Sequence, residues 1–280
     1  MPELHIGGFD FVVHCRQPLA PFLPGIPYAN FLKPSGILDE TPVEVFLSPM
    51  ESRNHPPLQP LFEGPTWSMF SDGDLRRIVM RDREGECPLW MAEFRLNGRR
   101  ADIFYGSRQI GTAGEVISPL AYPLDQLLIM YLLAESGGVL MHAAGGVRKG
   151  GVIYAGPSGA GKTTMTRMLL AEKCEMFSDD RVIVRPHDGA YLLFGTPWPG
   201  DAKVAVNRCT KLEQIYVLRK SDADRDEPLD PAAALAKIIP CCSLPWFDEQ
   251  VLAQSLDGLS RMLKTIPHSV CHFTKKPADG

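Results

Sequence analysis

Residues 156–164 read GPSGAGKTT, set between the apolar run GGVIYA (150–155) and the helix-like run MTRMLL (165–170). Few sequence features restrict a local fold as tightly. Gly156, Gly161, Lys162 and Thr163 satisfy the Walker A spacing, and that motif has meaning only between a strand and a helix. Each position has a physical reason. Glycines let the backbone curl until several N–H groups point inward at phosphate oxygens. The helix start adds its partial positive charge. Lys162 can reach the β and γ phosphates, and the Thr163 hydroxyl can ligate Mg²⁺. The whole loop is therefore the expected nucleotide site: Gly156, Pro157, Ser158, Gly159, Ala160, Gly161, Lys162, Thr163 and, in support, Thr164.

The rest of the chain sets the bounds. With 280 residues, 45% apolar and 22% charged, it can bury a core and reads as one large domain or two modest ones. The net charge is −4 with no long basic block, which argues against nucleic acid as a partner. The apolar run LLIMYLLA lies between Asp125 and Glu135 and is too short to cross a bilayer. No basic segment followed by an apolar one opens the chain, so no secretory signal is expected. Seven scattered cysteines without a CxxC pair speak against a zinc or disulfide framework and for the cytoplasm.

Local patterns divide the chain near residue 120. The segments 43–47, 75–82, 89–96 and 99–106 are rich in β-formers with partial alternation, and Asn97-Gly98 suits a two-residue hairpin. The proline-dense stretch from Pro18 to Pro65 is expected to wrap this sheet as loop. Residues 1–120 thus read as a β-rich domain and 121–280 as the nucleotide-binding one. The second part opens with a helix marked by Leu124, Leu127, Leu128, Tyr131 and Leu132, stopped at Gly137-Gly138. Two strands follow, joined by GGVRKGG. After the P-loop helix, CEMFSDDRVIVRP, the HDG turn at 187–189 and AYLLFG read as strands and hairpins rather than repeated strand–helix units. A mixed sheet is the expectation. Later come a strand at QIYVLRK, a short helix capped by Asp230-Pro231, and an amphipathic helix through Val251, Leu252, Leu256, Leu259 and Leu263.

Two further features carry chemistry. The acidic kink Ser178-Asp179-Asp180 lies at a strand end after the P-loop helix, where one carboxylate can serve a metal and the other accept a proton. His142 ends the strand GVLMHAA just upstream. Together, LMHAAGG…GGVIYAGPSGAGKTTMTRML…FSDDRVIV resembles the HPr kinase/phosphorylase family, whose P-loop core is related to ATP-dependent phosphoenolpyruvate carboxykinase. The resemblance covers about Gly138 to Asp201. It implies an α/β fold of α+β character, a mixed-sheet P-loop kinase core behind a small β-rich domain. It also implies that His142 lies near the phosphates, that Asp179 is the base activating a serine hydroxyl, and that Asp180 is a metal or structural partner, an assignment open to exchange. The segment GTPWPGD (195–201) resembles one in peptide-modifying relatives and makes Asp201 a catalytic candidate. The later glycine- and isoleucine-rich signature of HPr kinases is missing, and the N-terminal segment does not match their regulatory domain.

These readings converge on an ATP- and Mg²⁺-dependent kinase acting on a hydroxyl of a protein, peptide or small metabolite. The resemblance also implies a homo-oligomer. The alternative is a nucleotide-binding regulatory module in which the β-rich domain does the recognising.

Overall fold

Alternating burial in the N-terminal half resolves into one eight-stranded sheet. A computed structural model describes residues 3–16, 27–32, 38, 41–50, 57–81, 88–112, 114–116, 120 and 123–274. The strands are β1 (Glu3–Ile6), β2 (Phe9–Cys15), β3 (Val43–Pro49), β4 (Gln59–Glu63), β5 (Trp67–Asp72), β6 (Leu75–Arg81), β7 (Pro88–Arg95) and β8 (Arg100–Tyr105), ordered β1-β2-β3-β8-β7-β6-β5-β4. Register explains the inner face. Phe11 pairs with Val43 and Val13 with Val45 across the parallel β2–β3 ladder, and Val45 pairs with Ala101 across β3–β8. All five are buried, while His14, Glu44 and Arg100 point to the other side, as a two-residue period demands.

Three details differ from the sequence expectations. The β7–β8 hairpin forms, but its loop exceeds two residues: the last pair is Phe94–Ala101, and the Arg95 carbonyl accepts from Gly98 N–H at 3.1 Å. Leu96 N–H donates instead to the Asp74 carbonyl at 2.9 Å, and of Asn97 and Gly98 only Asn97 takes positive φ (58°). Outside the expected strand at 43–47, the Pro18–Pro65 stretch is not all loop, since it also contains β4. Its residues 18–26, 33–37, 39–40 and 51–56 lie outside the described ones.

The chain forms two units by contact. One comprises residues 1–5, 9–132 and 246–249; the other comprises 6–8, 133–245 and 250–280. Helix α1 (Leu124–Ser136) runs through the change, buried on nearly every side, and ends on Gly137 at φ 71°. Within the first unit, Arg76 donates to Asp248 through Nε at 2.7 Å and Nη2 at 3.3 Å, and Tyr131 donates to the same carboxylate at 2.9 Å.

The second unit holds nine strands in mixed sheets: β9 (Val139–Val147), β10 (Gly151–Ala155), β11 (Glu175–Ser178), β12 (Arg181–His187), β13 (Ala190–Phe194), β14 (Cys209–Lys220), β15 (Arg225–Pro228), β16 (Cys242–Ser243) and β17 (His268–Phe273). Two long strands organise it. One stretch of β9 pairs with β10 and β11, the other with β12 and β16; β14 pairs with β13, β10 and β17. The β10–β14 and β14–β17 ladders are parallel and the other ladders between these strands are antiparallel, the mixed arrangement that the hairpin-rich sequence predicts. Helix α2 (Lys162–Ala171) covers Val152, Tyr154 and Leu218 with Met165 and Leu169. Helix α3 (Pro231–Ile238) starts under the Asp230 carboxylate, which accepts from Ala232 and Ala233 N–H at 3.0 Å. Helix α4 (Glu249–Thr265) packs Leu259, Met262 and Leu263 into the core. Among the described residues, no helix is long and apolar enough to cross a membrane.

Candidate functional site

Strand register assembles the site. The antiparallel β9–β10 hairpin sets Ala143 opposite Ala155, so His142 comes level with Gly156, where the P-loop leaves the sheet. On the other side of β9, Arg181 pairs with His142, which brings the preceding Asp180 alongside the imidazole. His142 Nδ1 lies 3.4 Å from Asp180 Oδ1. The acidic kink and the histidine, 38 positions apart in number, thus meet beside the P-loop because both flank one strand pair.

The loop itself has the strained turns its glycines allow. Gly159 (φ 80°) and Gly161 (φ 107°) occupy the left-handed region, and a Cβ on Gly161 would fall 2.5 Å from Phe273 Cζ. Lys162 is buried and folds back, Nζ donating to the Gly156 carbonyl at 2.8 Å and the Pro157 carbonyl at 3.2 Å. A cleft of about 370 Å³ opens here, bordered by Ser158, Gly159, Gly161, Lys162, Thr163 and Thr164. His142, Asp179, Asp180, Gly200, Asp201 and Lys220 complete it. Gly156, Pro157 and Ala160 shape the loop without bordering that cleft, and Ala160 N–H donates to the Pro157 carbonyl at 3.1 Å.

The two aspartates are adjacent in sequence and unlike in setting. Asp179 is 2% exposed. Its Oδ1 accepts from Gly200 N–H (2.9 Å) and Val204 N–H (3.1 Å), and its Oδ2 from Ala202 N–H (2.6 Å). It thereby fixes the loop that carries Asp201. Gly200 is required by this approach, since a Cβ there would stand 2.8 Å from Asp179 Oδ2. Asp180 has a side chain 27% exposed toward the cleft, with His142 on one side and Arg181 Nε at 3.7 Å on the other. Asp201 is exposed at the rim.

The stretch containing all of these residues, 123–276, matches the family model described as "SynChlorMet cassette protein ScmC". The chain belongs to the ScmC family. No curated protein matches it. Among solved structures, the HPr(Ser) kinase/phosphatase from Coxiella burnetii is similar at 12% identity and a TM-score of 0.27, over 50% of this chain and 81% of that one.

Electrostatics distinguish the groups of this ScmC-family cleft. Burial, then the nearby Lys162 charge, pushes the His142 pKa below its ordinary value, with Asp180 opposing. The imidazole is thereby kept neutral to lower pH than in a free histidine. Burial also lowers the Lys162 pKa, against the pull of Cys241 and Asp180. Lys220 was not among the residues expected from the sequence. Its signal lay in topology: it ends β14, the parallel neighbour of β10, so it leaves the sheet at the same edge as the P-loop.

Do these residues fit a nucleotide and a magnesium ion? The glycine cradle, the helix start and two lysines suit a polyphosphate. Thr163 and Asp180 bring oxygen donors to the same cleft. No group of three or more His, Cys, Asp or Glu side chains stands ready for a metal among the described residues. Mg²⁺ takes one or two protein oxygens and completes its shell with phosphate and water, so Thr163 and Asp180 would suffice as its protein donors.

Proposed function

We propose that this chain is an ATP- and Mg²⁺-dependent kinase that transfers the γ-phosphoryl group to a hydroxyl, of serine type, on a protein, peptide or small molecule. The observation that carries this is the convergence of the P-loop, the His142–Asp180 pair, Asp201 and Lys220 on one cleft. A P-loop alone would support binding. A proton acceptor placed beside it supports transfer.

In this reading Lys162 leaves the loop carbonyls for the β and γ phosphate oxygens, and the α2 N-terminus and loop amides hold the remaining negative charge. Thr163 offers its hydroxyl to Mg²⁺. Held there, Mg²⁺ would offset the negative charge of the phosphates. Asp180 takes the acceptor's proton as the hydroxyl oxygen bonds to the γ-phosphorus and the bond to the β,γ-bridging oxygen breaks, releasing ADP. His142 orients Asp180. Asp179, which the family resemblance casts as the base, has its oxygens engaged by three backbone N–H groups, so we assign it the loop instead. Asp201 and Lys220 stand at the rim, where an acceptor would enter.

The test is incubation with γ-labelled ATP, Mg²⁺ and extract or candidate peptides. Label should move to an acceptor with the wild-type chain and about a hundredfold to a thousandfold more slowly with Lys162→Ala. Tight ATP binding without transfer to any acceptor would instead support the regulatory module.

A further inference from the structure

Helix α2 separates two cavities. Its start, through Thr164, borders the phosphate cleft; Met165, Met168 and Leu169 border another of about 310 Å³. That size is at the lower end of small-ligand sites, which run about 300–1,000 Å³. Its opposite wall is the end of β17, with Phe273, and its rim carries Asp224 and Asp226.

Topology ties this second cavity to the first. Strands β10, β14 and β17 run parallel, side by side. The P-loop after β10, the Asp224 turn after β14 and Thr274 after β17 therefore leave the sheet at one edge, where α/β sheets bind ligands. Phe273 lies against the P-loop, since a Cβ on Gly161 would meet its ring at 2.5 Å. Asp224 Oδ1 accepts from Thr274 N–H at 2.6 Å and from its hydroxyl at 2.9 Å, joining two of these strand ends. The lining thus combines methionine, leucine and phenylalanine side chains with the carboxylates of Asp224, Asp226 and Glu172, alongside Arg148 and Arg225. A flat apolar ring bearing an amino group matches both parts.

We infer that this cavity takes the purine base of the nucleotide whose phosphates the P-loop holds, with Met168 and Phe273 against the ring and Asp226 accepting from its amino edge. The inference rests on the phosphate-binding reading above. It assigns the α2 flank to recognition of the nucleoside, a task separate from phosphate binding.

Calorimetric titration with Mg²⁺ and ATP, GTP, CTP or inorganic tripolyphosphate tests it. A purine nucleotide should bind about tenfold or more tighter than tripolyphosphate, the scale of a stacked base. Whether ATP or GTP binds tighter names the base. Met168→Trp, which fills the cavity, should reduce the purine nucleotide to the affinity of tripolyphosphate and leave tripolyphosphate unchanged. Asp226→Asn, on the fully exposed β15, should weaken the purine nucleotide severalfold without disturbing the fold. Equal affinity for ATP, GTP and tripolyphosphate would overturn the base site while leaving the phosphate site standing. So would tighter binding of CTP than of both purines, or an equal loss for ATP and tripolyphosphate in Met168→Trp. If neither ATP, GTP nor tripolyphosphate binds, the phosphate reading and the base site fall together.

Discussion

Arg76 in the first unit and Lys162 in the second are each less than a tenth exposed, yet their surroundings differ. Burial works against the Arg76 charge, but hydrogen bonds and charge from Asp248, with Tyr131, outweigh it and raise its pKa. Around Lys162 burial dominates, and the pKa falls. Its partners are two neutral carbonyls of its own loop. The first unit closes its buried charge with a carboxylate, and the result is structural. The second leaves a cation undercompensated at the mouth of a cleft, where an anionic ligand can complete it. The contrast teaches that burial of charge marks a site only when the matching charge is missing.

The largest effect on that comparison should come from Asp248→Ala, which strands the Arg76 guanidinium. Breaking a buried pair from one side costs about 3–5 kcal/mol, read as a lowered urea midpoint. Next, Lys162→Ala should cut transfer by about a hundredfold to a thousandfold, the scale of one lost electrostatic donor, while moving the urea midpoint far less. If Lys162→Ala destabilised as much as Asp248→Ala, the distinction between closed and open charge would fail.

The pH profile should sharpen the contrast more gently. Because burial and Lys162 lower the His142 pKa, protonation begins only below the ordinary histidine value of about 6.5. The sign follows: transfer holds steady as pH falls through that value and drops only beneath it. Stability lost through this histidine likewise appears as pH falls below the unfolded value, because the unfolded chain binds the proton first. An acid limb at or above 6.5 would contradict the assigned surroundings. Smallest of all, Asp230→Ala should cost about 1 kcal/mol of stability through its helix cap and leave transfer unchanged.

What could be read from the sequence was what is local. The P-loop, the Asp230 cap, the α1 stop and the hairpin-rich character of the second half each depend on neighbours a few positions away. The closure of the sheets through β9 and β14 does not, since their pairing partners lie up to about a hundred positions off in number. The same limit governs the site. Asp179 and Asp180 are identical in type, and nothing nearby in sequence separates them. The segment from Gly200 to Val204 does, by bringing three N–H groups to one carboxylate and none to the other's cleft-facing oxygens. Asp248 was invisible for a related reason: its partner Arg76 stands 172 positions earlier. Lys220 needed the parallel β10–β14 register to become part of the site.

The most direct measurement sets Asp180→Asn beside Asp179→Asn, recording ATP affinity and γ-phosphoryl transfer for each. The account predicts that Asp180→Asn binds ATP as the wild type does and loses about a hundredfold to ten-thousandfold in transfer, as a removed general base should. Asp179→Asn should loosen the 200–204 loop and lose less in transfer. Transfer at the wild-type rate in Asp180→Asn, with its loss in Asp179→Asn alone, would contradict the account.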